Sequence, residues 1–344
     1  MSQGGSRASR HQLQSRRRWS TTNAVAVYTD ISDAELRTFL EAYDIGKLVS
    51  VIGITEGVEN SNFLLLTDRG RFILTVYEKR VRREDLPFFL GLMRHLSDHD
   101  VACPTPVAAR DGTVLQDVQG KPAAIVTFLD GVWPRRLWPE HCQALGLALA
   151  DLHLAGQNYA GHRANDLSVA SFRPLFESSA ARADEVMAGL GDALDGEIGA
   201  LERDWPEGLP AGVIHADLFP DNVFFQDDRV SGVIDFYFAC NDHFAYDLAI
   251  CLNAWCFEPE GDFNITKARN LLSAYRQRRA FSEAELEALP LLCRGAAMRF
   301  LLTRLHDWLE TPPEALVEPK NPLEYWRKLQ FHRAIDNPGA YGLD

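Results

Sequence analysis

The chain has 344 residues and a formal charge of −13, from 35 Lys and Arg against 48 Asp and Glu. That balance excludes a nucleic-acid binder, which needs a surplus of cations to neutralise phosphates, and no apolar run approaches the ~20 residues that cross a membrane as a helix. The length allows one large domain or two lobes, and six cysteines with no Cys-x-x-Cys pair, mostly in apolar segments, point to reduced thiols and a cytoplasmic location.

Residues 1–24 place Arg7, Arg10, Arg16, Arg17 and Arg18 among Ser, Gln and Gly without hydrophobic periodicity, which predicts a disordered basic arm with no secretory h-region. Val25 or Val27 is the natural beginning of folded chain. Ser32-Asp33-Ala34-Glu35 is a capping-box pattern, and Leu36, Phe39, Leu40 and Tyr43 follow at helical spacing. Three strands are then expected at Leu48–Ile54, Asn62–Leu66 and Phe72–Tyr77, the last two joined by a turn at Asp68-Arg69-Gly70. A helix over Leu86–Leu96 and a buried strand over Ala123–Leu129 complete a small antiparallel unit, closed by Asp130-Gly131. Beyond it the pattern is helical: Pro139–His153, a stretch around Ser178–Leu201, Ala245–Cys256, Ile265–Arg278, Glu283–Leu309 with a break near Pro290, and Leu323–Arg333. Residues 25–130 thus form one lobe, residues 131–335 a helical lobe, and residues 336–344 a frayed tail. The fold class is α+β, with no internal repeat.

Inside the helical lobe lies the most chemically pointed stretch, His215-Ala216-Asp217-Leu218-Phe219-Pro220-Asp221-Asn222. Val213-Ile214 enters it, Val223-Phe224-Phe225 leaves it, Asp227-Asp228-Arg229 turns, and Val230–Ile234 runs up to Asp235. A tight loop carrying Asp217 and Asn222, with Asp235 on the next strand of a hairpin, suits phosphoryl transfer. Asp217 accepts the proton of an acceptor hydroxyl, and Asn222 and Asp235 offer hard oxygens to a Mg2+ that bridges the phosphates of ATP. His215 is given a structural part, holding the loop by hydrogen bonds. The bland reading is an Asx-rich turn between edge strands. Cys240, His243, Cys251 and Cys256 resemble a zinc set only loosely and are read as core.

On the nucleotide side, the turn Glu56–Asn62 lies where loop amides would cover phosphates, with Asn60, Ser61 and Asn62 as donors. The third strand presents uncharged Thr75 where a phosphate-pairing lysine is expected; Lys79 lies four residues on, either on the same face or in a solvated basic patch.

These residues resemble the aminoglycoside phosphotransferase and choline kinase superfamily of kinase-like enzymes, over about Val27 to Arg333. The resemblance rests on Gly57-Val58-Glu59-Asn60-Ser61-Asn62-Phe63, on Gly212 through Asn222, on Ile234-Asp235-Phe236-Tyr237 and on Tyr246-Asp247-Leu248-Ala249. Phe236-Tyr237-Phe238-Ala239-Cys240-Asn241-Asp242, Asn253-Ala254-Trp255-Cys256-Phe257 and Arg299 through Leu305 are similar to its homoserine kinase family in particular. The resemblance implies a two-lobed protein-kinase-like fold, Asp217 as catalytic base, Asn222 and Asp235 as metal ligands, and Phe128-Leu129 at an adenine-facing hinge. It further implies ATP and Mg2+ as cofactors and L-homoserine as acceptor. An acceptor with an ammonium and a carboxylate would use Asp242 or Asp247 for the first and Arg299 or Arg304 for the second, with Tyr237 walling the pocket; each has a bland reading as helix cap, ion pair or core. A sibling kinase for choline, an aminoglycoside or another amino alcohol, and a nucleotide-binding scaffold of low turnover, are the competing readings. The expected assembly is a monomer or weak homodimer.

Overall fold

The computed structural model describes residues 29–54, 60–78, 81–312 and 318–343. The basic arm, Glu56 to Glu59 of the phosphate turn, and Lys79 lie outside the described residues. Helix α1 (Asp33–Leu40) begins at the expected capping box, with Ser32 and Glu35 satisfying each other's backbone amides. Strands β1 (Leu48–Ile54), β2 (Asn60–Thr67) and β3 (Gly70–Tyr77) follow, then α2 (Leu86–Asp98), β4 (Gln116–Val118) and β5 (Lys121–Thr127). They form one antiparallel sheet in the order β1-β2-β3-β5-β4. Three-residue β4 was not legible as a strand; it exists as the hairpin partner of β5.

Alternation gives this sheet two unlike faces. Phe63, Leu65, Leu74, Val76, Ala123 and Ile125 pack with Leu36 and Leu40 of α1 in a small core of their own. Tyr77, Ala124 and Val126 point the other way, into the main core shared with α2 and the helical lobe. Thr75, two residues before Tyr77, is therefore on the face turned to the helical lobe, and Ser61, opposite Val76, is on the face away from it.

The helical lobe contains α3 (Pro139–Gly156), α4 (Val169–Glu177), α5 (Ala183–Val186) and α6 (Leu190–Asp204). Strands β6 (Ala211–Ile214), β7 (Val223–Gln226), β8 (Arg229–Val233) and β9 (Cys240–His243) come next. Helices α7 (Phe244–Trp255), α8 (Ile265–Arg278), α9 (Glu283–Glu310) and α10 (Leu323–Arg333) complete it. Helices α3 and α8 approach closely at Gly146, where a Cβ would come within 2.2 Å of the Leu271 carbonyl oxygen. Three expectations need correcting. The helix expected at 178–201 is broken, because Gly189 adopts a left-handed φ of 76° and the Asp184 carboxylate accepts the amides of Gly189 and Gly191. Helix α9 runs unbroken through Pro290: the buried residues Leu289, Leu292, Cys293 and Ala296 hold one continuous face against the core, outweighing the lost bond to the Leu286 carbonyl. The end of the chain is not frayed through Leu343, since Tyr341 is fully buried and its hydroxyl pairs with His332 Nδ1 at 2.8 Å.

One contact anchors the chain just after it leaves the sheet, and another crosses between the lobes. Gly131, at φ 149°, lets the segment after β5 run close against the β7–β8 hairpin, where Val132 and Phe225 exchange both backbone hydrogen bonds. Arg163 reaches from the helical lobe to Asp85, ahead of α2, at 3.0 Å, and to Asp166 at 2.6 Å.

Candidate active site

Strand β6 pairs with β9, and β7 pairs with β8, so the segment from His215 to Asn222 bridges two small sheets. Ala216 sits in its middle at φ 63°, a strained conformation for a residue with a Cβ. Four hydrogen bonds from three side chains hold the loop there. The buried Asp247 carboxylate accepts the amides of His215 at 2.8 Å and Ala216 at 2.9 Å. Arg299 Nη1 donates to the Ala216 carbonyl, and Trp255 Nε1 donates to the Leu218 carbonyl at 2.8 Å. Asp247 is itself set by His153, whose Nε2 lies 3.1 Å from it while Nδ1 faces the Tyr275 hydroxyl at 2.8 Å. An ionised carboxylate only accepts, so His153 carries its proton on Nε2 and receives the Tyr275 hydroxyl on Nδ1. Burial alone would raise the pKa of Asp247; the bond from His153 and the amide of His215 overcome it and hold the group below the ordinary carboxylate value. Burial lowers the pKa of His153, which is therefore neutral.

His215 joins the Asp217 loop to the residue beside Asp235. Its Nε2 donates to the Ile234 carbonyl at 2.9 Å, next to Asp235, and its Nδ1 accepts the Asp217 amide at 3.3 Å. Asn222 closes the loop from the other side: its Nδ2 donates to the Asp217 carbonyl at 2.8 Å, and its own carbonyl accepts the Ile234 amide at 3.0 Å. With the amide nitrogen so engaged, Oδ1 of Asn222 is the atom left for a cation. Asp235 stands at φ 65°, again left-handed, ahead of a single helical turn at Phe236–Phe238. Among the described residues no three His, Cys, Asp or Glu cluster as a metal cage. One carboxylate and one amide oxygen fit Mg2+, which keeps waters and takes phosphate oxygens for the rest of its shell.

The remaining expected residues separate into two groups. Thr75, 3% exposed, donates to Asn62 Oδ1 at 2.8 Å and lies within hydrogen-bonding reach of Tyr237, whose hydroxyl is 3.2 Å from that of Tyr77. Burial, aided by the charge of Asp235, pushes Tyr237 up to about 12. Asn62, Thr75, Tyr237 and Asp235 are thus brought together between the lobes. Ser61 is not brought there; its hydroxyl donates to Glu78 at 2.8 Å, in a network with Lys121 and Thr29. Asn60 accepts the Glu78 amide at 3.3 Å. At the hinge, Phe128 lies under the Arg71 guanidinium at 4.4 Å and Leu129 packs over Gly232 of β8.

Of the acceptor candidates, Arg299 is nearest Asp217. It is 2% exposed, with Nη2 at 3.9 Å from Asp217 Oδ1 and its guanidinium against the rings of Phe300 and Phe238. Asp217 is 18% exposed, the more open member of that pair. Arg304 pairs with Glu324 of α10 at 2.6 Å. Asp242, in β9, accepts from Asn165 at 2.7 Å and from the His243 amide at 2.7 Å. Sequence reasoning did not single out His153, Tyr275 or the Trp255 bond as supports of the loop. No spacing signal could have found them, since they lie 64, 58 and 38 residues from Asp217 and meet its loop only through the fold.

The family model of the phosphotransferase enzyme family matches residues 50–281. Among solved structures, an amicoumacin kinase in complex with AMP-PNP, Ca2+ and Ami superposes with a TM-score of 0.67 at 14% identity, covering 90% of this chain and 96% of that one. A microcompartment-associated aminopropanol kinase gives 0.62 at 21% identity, covering 88% and 94%. The fold is therefore the two-lobed, protein-kinase-like α+β fold. The homoserine kinase of Rhodospirillum rubrum is 66% identical over 319 residues, 93% of this chain and 99% of that protein. That of Xanthobacter autotrophicus is 62% identical over 319 residues, 93% and 99% respectively. The chain belongs to the phosphotransferase enzyme family and, within it, to the homoserine kinases. It is an ATP-dependent kinase that acts on a hydroxyl group.

Proposed function

We propose that the enzyme transfers the γ-phosphoryl group of ATP to the side-chain hydroxyl of L-homoserine, giving O-phospho-L-homoserine and ADP in the cytoplasm. The observation that carries the mechanism is the coupling through His215, which ties the amide of Asp217 and the carbonyl beside Asp235 to one imidazole. Asp217 accepts the hydroxyl proton as the acceptor oxygen bonds to the γ-phosphorus and the bond to the ADP oxygen breaks. Asn222 and Asp235 would hold Mg2+, which would supply positive charge to neutralise the phosphates of ATP. Asn60, Asn62 and Thr75 stand on the nucleotide side, with Phe128 and Leu129 at the hinge. In this division residues 25–130 receive the nucleotide and 131–335 supply base, metal ligands and acceptor pocket. Arg299 supports the loop from within, because its Nη1 is committed to the Ala216 carbonyl, rather than serving as a free carboxylate anchor.

The test is steady-state ADP release with L-homoserine, paired with mass spectrometry of the amino-acid product. A phosphorylated homoserine formed in step with ADP is expected. ADP release that does not depend on an amino-alcohol acceptor would refute the reading.

A further inference from the structure

Beside the Asp217 loop, helices α9 and α10 meet in a corner where, among the described residues, Arg304 and Lys328 share the single carboxylate of Glu324. Arg304 and Lys328 both bind Glu324, at 2.6 and 2.7 Å, so one carboxylate serves two cations. The two also flank the ring of Tyr325, each 4.4 Å from its centroid. Lys320 adds a third positive charge, with Nζ 5.7 Å from the ring of Phe219, two residues after Asp217. Phe219 meets Phe300 at 4.9 Å, and Phe300 meets Tyr325 at 5.3 Å, so an aromatic path leads from the catalytic loop to the corner.

Tyr325 marks the point where the two regions meet. Its side chain is 0% exposed, yet its hydroxyl has no hydrogen-bond partner among the described residues. Charges from both sides reach it: Arg304 and Glu324 from the corner, Asp217 and Arg299 from the loop. A buried hydroxyl without a partner costs stability. A ligand anion lying between Arg304 and Asp217 would remove that cost, accept from Tyr325, and balance the surplus positive charge.

We propose that the corner formed by Arg304, Lys328 and the Tyr325 hydroxyl is the carboxylate subsite of the acceptor, which selects an α-amino acid over a plain amino alcohol. The subsite rests on the reading of L-homoserine as acceptor. It leaves Arg299 to the catalytic loop and gives the fold a reason to place a charged corner one aromatic layer from the base. Glu324 then occupies the two cations only until the carboxylate of the acceptor takes its place.

The test compares L-homoserine with 2-amino-1,4-butanediol, which keeps the hydroxyl and the ammonium and lacks the carboxylate. The quantity read is the ratio of kcat/KM for the two acceptors. Arg304→Gln should lower that ratio on the order of 10- to 100-fold, mainly through KM for L-homoserine, as expected for loss of a charge-assisted pair. Tyr325→Phe, which keeps the ring and its packing, should lower it in the same direction by a smaller factor. Glu324→Gln should keep or raise it, whereas a merely structural Arg304–Glu324 pair would make Glu324→Gln and Arg304→Gln alike. Thermal midpoints of all three variants accompany the kinetics; if Arg304→Gln fails to fold, Tyr325→Phe decides. A ratio unchanged in both Arg304→Gln and Tyr325→Phe, or equal losses on both acceptors, would overturn the subsite. Parent enzyme inactive toward L-homoserine would instead refute the acceptor reading itself.

Discussion

In the proposed mechanism the chemistry turns on Asp217, and its environment makes a separable prediction. The loop is held through the backbone at His215, Ala216 and Leu218, so changing the Asp217 side chain leaves the scaffold in place. Asp217→Asn should lower kcat on the order of 10²- to 10⁴-fold, the range of a lost general base, while ATP affinity by calorimetry stays within a few-fold. A mutant turning over at the parent rate would remove Asp217 from the mechanism. Three buried histidines give a second prediction. Burial lowers the pKa of His153, His215 and His332, the last to about 3. A histidine with a depressed folded pKa contributes its stability above its unfolded value of about 6.5 and loses it as pH falls toward the folded one. Stability should therefore decline from about pH 6.5 downward, by up to ~1.4 kcal/mol per pH unit for each of the three. Asp247, held below the ordinary carboxylate range, adds its own loss only below about pH 4. Urea unfolding at pH 8, 6.5 and 5 measures this; a flat profile from pH 8 to pH 5 would contradict it. At this scale the sequence offered Asp217, Asn222 and Asp235 together as candidates, because they sit in one short stretch. It singled out Thr75 as uncharged but was silent on what Thr75 binds, because Asn62 and Tyr237 come from two lobes and meet it only across the cleft.

The elements were legible where the signal was local. The capping box before α1, the turn of the β7–β8 hairpin and the bounds Leu48–Ile54, Ile265–Arg278 and Leu323–Arg333 are all written in neighbouring residues. Pairings over long separations were not: β6 finds β9 about thirty residues on, which no alternation pattern announces. Nor could proline chemistry foresee that α9 runs through Pro290, since burial of the flanking face decided it. This yields a prediction. Pro290→Ala restores the amide that the Leu286 carbonyl lacks and should raise stability by about 1–3 kcal/mol in urea unfolding. A lower stability would mean that the buried proline ring packs better than a helical hydrogen bond compensates.

At the scale of the molecule, the sheet presents Asn62, Thr75 and Tyr77 to the helical lobe, and that lobe presents Asp217, Asn222 and Asp235 in return. Arg163 with Asp85 joins the two lobes, and Val132 with Phe225 fixes the segment that connects them. No helix among the described residues is long and apolar enough to cross a membrane. The uncharged cleft position at Thr75 is answered by hydroxyl and amide contacts that bind the sheet to the loop after Asp235, so the substitution joins lobes where a lysine would pair with phosphate. What the enzyme phosphorylates then depends on the acceptor pocket, and steady-state ADP release tests that most directly. With ATP and Mg2+ present, kcat/KM for L-homoserine should exceed that for choline and for an aminoglycoside by at least about 100-fold, the scale of one well-placed charged contact. Equal or higher kcat/KM with choline or the aminoglycoside would contradict the account.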